Sequence, residues 1–246
     1  MTDDPTPPRT RRRQIVRWEA GALALAALLA LGADAALASH RTISRSQAQS
    51  VATVINLRHS ALPSLGQQSN PITAQERRLN AQLTACMGGV PDSQALAEAQ
   101  SPSFADSGNT SVMISSDTEI LPSAALVAKD LAAITGPRGL PCLQAQLAGQ
   151  LRSSLAKGET LTIHGARFPP VVSGSDAAVA IRFSVVVRAT SGTTTASVPL
   201  FADLIGFAYG QAEVGLNVVE TGAKPSAALE RRLAALLVAR ARAAIG

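Results

Sequence analysis

The clearest hydrophobic pattern lies between residues 159 and 218, where apolar and polar positions alternate. Leu161 and Ile163 alternate with Thr160, Thr162 and His164. Val179, Ile181, Phe183, Val185 and Val187 alternate with Arg182, Ser184 and Arg188. Ala212, Val214, Leu216 and Val218 alternate with Gln211, Glu213, Gly215 and Asn217. Between the last two runs, Val198 to Ala208 is continuously strand-like, with Pro199 near its start, where a missing amide is tolerated. Period two with one polar side is the signature of half-buried antiparallel strands. Ser191-Gly192 marks a hairpin, and the tight connections predict a meander of four strands.

The preceding chain is mostly helical in period. In residues 41–59, Ile43, Val51, Val54 and Ile55 form one stripe. Residues 60–71, with Pro, Gly, Ser, Gln and Asn, read as a linker. Thr73 and Glu76 form a capping box, each side chain satisfying an orphan amide of a new helix. Leu79, Leu83 and Cys86 follow at helical spacing, and Gly88-Gly89 ends the element. Val112, Met113, Ile114 and Ile120 predict a strand over 111–121. Pro122 and Pro141 each open a helix. The first carries Ala125, Leu126, Leu131 and Ile134, the second Leu143, Leu147, Leu151 and Leu155. Pro225 opens a last helix with Leu229, Leu233, Leu236 and Leu237 on one side and Arg231, Arg232, Arg240 and Arg242 elsewhere. The expected fold is α+β: an antiparallel sheet of about five strands with helices packed on one face.

The first 38 residues read differently. Arg9, Arg11, Arg12, Arg13 and Arg17 make residues 1–19 a basic segment. Residues 20–33 are apolar and uncharged, and Ala36-Leu37-Ala38 precedes Ser39 as a small-x-small site. Basic, apolar, then A-x-A is the order of an export signal, with cleavage expected between Ala38 and Ser39. The alternative is an uncleaved signal anchor, with the arginines inside and Trp18 at the interface. Both place the remainder outside the cytoplasm, secreted or membrane-anchored. Residues 39–72 are then expected as a helical stalk and linker, and 73–246 as the extracytoplasmic domain.

Export changes the meaning of the two cysteines. In an oxidising compartment a lone pair is a disulfide, so Cys86 and Cys142 are expected to be joined. The net charge of +5 is spread along the chain, without the basic stripe and stacking aromatics of a nucleic-acid binder. No nucleic-acid partner is expected.

Candidate chemistry is sparse. His40, His59 and His164 are far apart, and Ser175 lacks a nucleophile elbow. Dinucleotide-binding and P-loop signatures are absent. Asp203, Glu213 and Glu220 sit on or near neighbouring strands, where paired carboxylates do acid/base work or bind Ca²⁺. Arg182 and Arg188 share a polar strand face, within reach of an anion or Glu213. Solvated charge on an exposed sheet face is the default reading of each of these. No catalytic, cofactor or metal residue is assigned, and no cofactor is expected.

The run from Cys142-Leu143 through Phe201-Ala202-Asp203 and Gly206 to Leu233, Leu236, Arg240 and Arg242 resembles extracytoplasmic domains of uncharacterised actinobacterial proteins. Its layout over residues 73–246 is similar to Mog1/PsbP-like lipoprotein domains and the sensor domains of PknH-type receptor kinases. No functional residue is carried over from the resemblance; a half-exposed sheet, a helix cover and no catalytic constellation lead instead to the expectation of a non-enzymatic binding or sensor-like module. Its concrete form is a lipid or other apolar ligand held between the sheet and the C-terminal helix. The alternatives are an envelope assembly protein that binds protein partners through residues 41–109, and a hydrolase using Ser175.

Overall fold

The computed structural model describes residues 40–69, 71–106, 112–191 and 194–246. The basic segment, the apolar export helix and the Ala38–Ser39 site all lie outside the described residues. Among the described residues, no helix is long and apolar enough to cross a membrane.

Five helices and eight strands are described. The helices are α1 (Arg45–Ile55), α2 (Ala74–Met87), α3 (Ala124–Thr135), α4 (Gly139–Ser153) and α5 (Ala227–Ile245). The strands are β1 (Gly66–Gln68), β2 (Ala97–Gln100), β3 (Ser103–Ala105), β4 (Val112–Ile120), β5 (Glu159–Arg167), β6 (Ala177–Ser191), β7 (Thr194–Tyr209) and β8 (Ala212–Thr221). They form one antiparallel sheet in the order β1-β3-β4-β8-β7-β6-β5, with β2 also paired to β4. The α+β class and the antiparallel meander are as expected; the strand count is not. The additional strands β1, β2 and β3 are three or four residues long, too short to show a period in the sequence.

The expectation of helices on one face is also corrected. Cross-strand partners Val179, Gly206 and Gly215 lie in one row and so share a face. The apolar positions of β6 are odd-numbered and those of β8 even-numbered, so this register sends them to opposite faces. The central strand β7 is apolar on both: Ile205 and Phe207 face one side, Ala202 and Leu204 the other. A strand of that kind needs cover on both sides. On the first face, α1 and α5 pack on Ile114, Phe207, Val214, Leu216 and Val218. On the second face, α2, α3 and α4 pack with Val179, Ile181, Phe183 and Leu204.

Residues 43–62, expected as stalk and linker, contribute Ile43, Ala48, Ala52, Ile55, Leu57 and Leu62 to the first core. The chain is also fastened at its first described residue. His40 pairs with Asp176 at 3.0 Å and sets its ring edge-on to Tyr209, while the amide of Arg41 donates to the carbonyl of Ile245.

Local chemistry explains the boundaries. Thr73 and Glu76 form the expected capping box, and Gly88 closes α2 in the left-handed region at φ 82°. Pro199 falls inside β7, not near its start, because β7 begins at Thr194. It is tolerated because β8 pairing ends at Leu200, so its missing amide deprives no partner strand. The outer edge of β5 is blunted by α4, where Gln144 donates to the carbonyl of Ile163 at 3.0 Å. The disulfide forms as expected: Cys86 of α2 and Cys142 of α4 are joined, with Cα atoms 6.0 Å apart.

Candidate functional site

The polar side of β4 and β8 does not face water. On the second face these strands present Ser115, Asp117, Glu119, Glu213 and Asn217, all buried, beneath α3 and the segment before β2. In the strand register Glu98, Glu119 and Glu213 stand directly opposite one another on three adjacent strands. Like charges so placed are destabilising, so this row is costly unless the groups are neutral or hold a cation. Asp117 lies one pleat along. Asp130 descends from α3, and Asp92 and Glu98 form the half-buried rim.

Hydrogen bonds satisfy only part of this set. Asn217 donates to Asp117 at 3.1 Å, and the amide of Val90 donates to Asp130. Asp117 occupies the space that Gly215 leaves open: a Cβ there would lie 2.6 Å from its carboxylate oxygens. Neither carboxyl oxygen of Glu213, nor one of those of Glu119, meets an amide or hydroxyl donor; Glu213 has only the carboxyl of Asp130 beside it, and two carboxyls bond only by sharing a proton. Such orphaned groups are rare and point to a bound proton, water or ion.

The electrostatics follow from burial and crowding. Desolvation, then the neighbouring acids, push Glu119 up to about 9. Desolvation and Glu98 raise Asp117 to about 7 against the bond from Asn217. Asp130 rises to about 6, again mainly through burial, with Val90 opposing. Glu213 goes well above the usual range, through burial and then the charges of Asp130, Glu119 and Asp117. Asp92 and Glu98 are raised as well, both mainly by burial. The opposing cations, Lys129 beside Asp130 and Arg77 towards Glu98, are both exposed.

Among the described residues, no three His, Cys, Asp or Glu side chains converge as a metal set. The register sets Glu98, Glu119 and Glu213 in a row across three strands. Next to them, a cavity of about 20 Å³ lies among Ile134, Leu143, Val179, Gly206, Gly215 and Asn217. That is room for a single water.

The sequence-level candidates are redistributed by the fold. Asp203 and Glu213, grouped by strand proximity, face opposite sides of the sheet. Asp203 is fully buried on the first face and accepts from Nε of Arg182 at 2.6 Å, and from Nη2 as well. Arg182 therefore meets Asp203, not Glu213, and its guanidinium lies 5.0 Å from the centre of the Phe168 ring. Glu230 of α5 is buried beside them, raised to about 8 by desolvation and then by Asp203. Glu220 is only half-buried, and His164 and Arg188 are exposed. His40 belongs to the N-terminal clasp, and Ser175 lies in the loop before Asp176. Residues 229–245 of α5 fill the space over the first face, with Leu233, Ala234, Leu237, Val238, Ala241 and Ile245 buried against it.

Compared with protein-family models, with curated proteins and with solved structures, the chain matches none.

Proposed function

We propose that this chain is a non-enzymatic, extracytoplasmic binding or sensor-like module, and that its responsive element is the carboxyl pit between β4, β8 and α3. One observation carries this reading: Glu213 lies buried at the floor of the pit with no donor beside it except the carboxyl of Asp130. Protons are the ligand that best fits the row of acids. At acidic pH the pit is neutral and compatible with its cover. As pH rises through the range above 6, it is asked to hold negative charge with little compensation.

The sign of the effect follows from linkage. A carboxyl raised in the fold keeps a proton that the unfolded chain has already lost. Between the unfolded value near 4 and the folded value, increasing pH therefore favours unfolding. The unfolding free energy in urea should fall steadily from pH 5 to pH 8.5. A profile that is flat or rises over that interval would remove the basis for the proposal.

A lipid-like ligand between the sheet and α5 has less support, because side chains occupy that space. A protein-interaction role in the envelope draws on a different feature. The β6–β7 hairpin extends beyond the ends of β5 and β8, and Val198 on it is 50% exposed. Residues 41–109, the other partner-binding candidate, supply α1, α2 and three strands of the sheet.

A further inference from the structure

We propose that residues 88–100 are a proton-latched lid over the carboxyl pit, hinged at Gly88-Gly89 and held back at one end by the Cys86–Cys142 disulfide. This rests on the pit being the responsive element and adds which part of the fold moves.

The lid brings two of the six acids. Asp92 sits in a short turn of 3-10 helix and Glu98 in β2, while Asp117, Glu119, Asp130 and Glu213 belong to the floor and to α3. Closing the lid therefore places acid against acid, with Glu98 directly opposite Glu119. The lid is held at its far end by α1 and β4: Asn56 donates to the carbonyl of Ala99 at 2.8 Å, and Leu96, Ala97 and Ala99 pack against the first core. The amide of Val90 donates to Asp130, that of Leu96 to the carbonyl of Ile120 at 2.8 Å, and Gln49 reaches the carbonyl of Glu98 at 3.2 Å. β2 is a four-residue strand paired only to β4. Its apolar contribution is correspondingly small: Val90 is buried, while Ala95, Leu96, Ala97 and Ala99 are half-buried.

On the other side of the hinge the chain is fixed. Leu83 and Met87 of α2 are buried in the second core, and the disulfide ties the helix to α4. Gly88, at φ 82°, takes the conformation that glycine adopts at least cost. The charged groups facing the pit are these six acids, Lys129 of α3 and Arg77 of α2, while Arg138 at the start of α4 lies near Gly88. Two exposed cations against six acids cannot neutralise the pit once it ionises. Repulsion then acts between the floor and the segment that brings Asp92 and Glu98 over it, which is the lid. Its opening exposes Glu119 and Glu213 to water and to dissolved cations.

Hydrogen exchange read by mass spectrometry on the full chain tests this, with rates corrected for the intrinsic effect of pH. Between pH 5.5 and 8.5, amides 90–100 should lose at least tenfold in protection, while α2 and the β6–β7 pairing change little. Glu119→Gln/Glu213→Gln should suppress that loss. If the carboxyls titrate well above 4 but 90–100 keeps its protection, the lid is wrong and the pit stands. Loss that spreads equally through α2 also overturns the hinge. If the carboxyls titrate near 4, both proposals fail together.

Discussion

Glu213→Gln should raise the thermal midpoint at pH 8.5 by at least several degrees and change it little at pH 5. A proton count sets the size of the effect. Glu213 is only 2% exposed and is held well above the ordinary glutamate range. In the unfolded chain it ionises near 4.5, so keeping it neutral in the fold costs about 1.4 kcal/mol for each pH unit above that value. For a domain of this size each kcal/mol moves the midpoint by about 2–4 °C, so the gain grows with pH for as long as Glu213 keeps its proton in the fold. Glutamine has nearly the same shape, does not titrate, and offers an amide donor to the neighbouring acids. The plot of unfolding free energy against pH should therefore lose the slope of about one proton. The remaining slope comes from Asp117, Glu119 and Asp130, and from Glu230 on the first face. A variant whose profile runs parallel to the wild type would show that Glu213 holds no proton.

Removing the disulfide should have the second-largest effect, in the opposite direction. Cys86 and Cys142 are 56 residues apart, and closing a loop of that length stabilises the fold by about 4 kcal/mol in the chain-entropy picture. Cys86→Ala/Cys142→Ala, or the wild type under reductant, should melt roughly 10 °C lower. The loss should concentrate in α2. That helix has three buried residues, Asn80, Leu83 and Met87, and the disulfide adds a covalent tie to α4 beside the packing of Leu83 and Met87. A reduced protein within about 1 kcal/mol of the oxidised one would mean that α2 is held by packing alone.

These two expectations draw on unequal parts of the sequence. The capping box at Thr73 and Glu76 and the strands β4 to β8 are legible because each depends on local spacing, and the cysteine pair is legible because two cysteines leave a single pairing. The two-sided cover is not. It follows from register, which aligns Val179 with Gly206 and Gly215 and so turns the apolar sides of β6 and β8 apart. The pit is hidden for the same reason. Glu213 is visible as the polar half of an alternation, and polar alternation normally means solvent. Asp117 and Glu119 carry the same alternation in β4, and Asp130 lies on the side of α3 that holds Val127, Leu131 and Ile134. An acid on an apolar helix face is the available signal. Only the fold brings those three segments together, because their positions in sequence are remote.

The pairing of Asp203 with Glu213 illustrates the converse. Strand proximity suggests one carboxylate site, and a one-residue difference in parity separates it into two. Asp203 acquires a cation, Arg182, and Glu213 acquires other acids. Nothing in the composition distinguishes those outcomes; the pleat does.

The central claim is that Glu119 and Glu213 keep their protons at neutral pH, and carbon-13 NMR of the glutamate and aspartate carboxyls tests it most directly. Followed from pH 3 to pH 10, Asp117 should titrate at about 7 and Glu119 at about 9, with Glu213 well above 4.5. If all three carboxyls instead titrate together near 4, the pit is ionised at neutral pH, its charge is balanced by something other than protons, and the claim is contradicted.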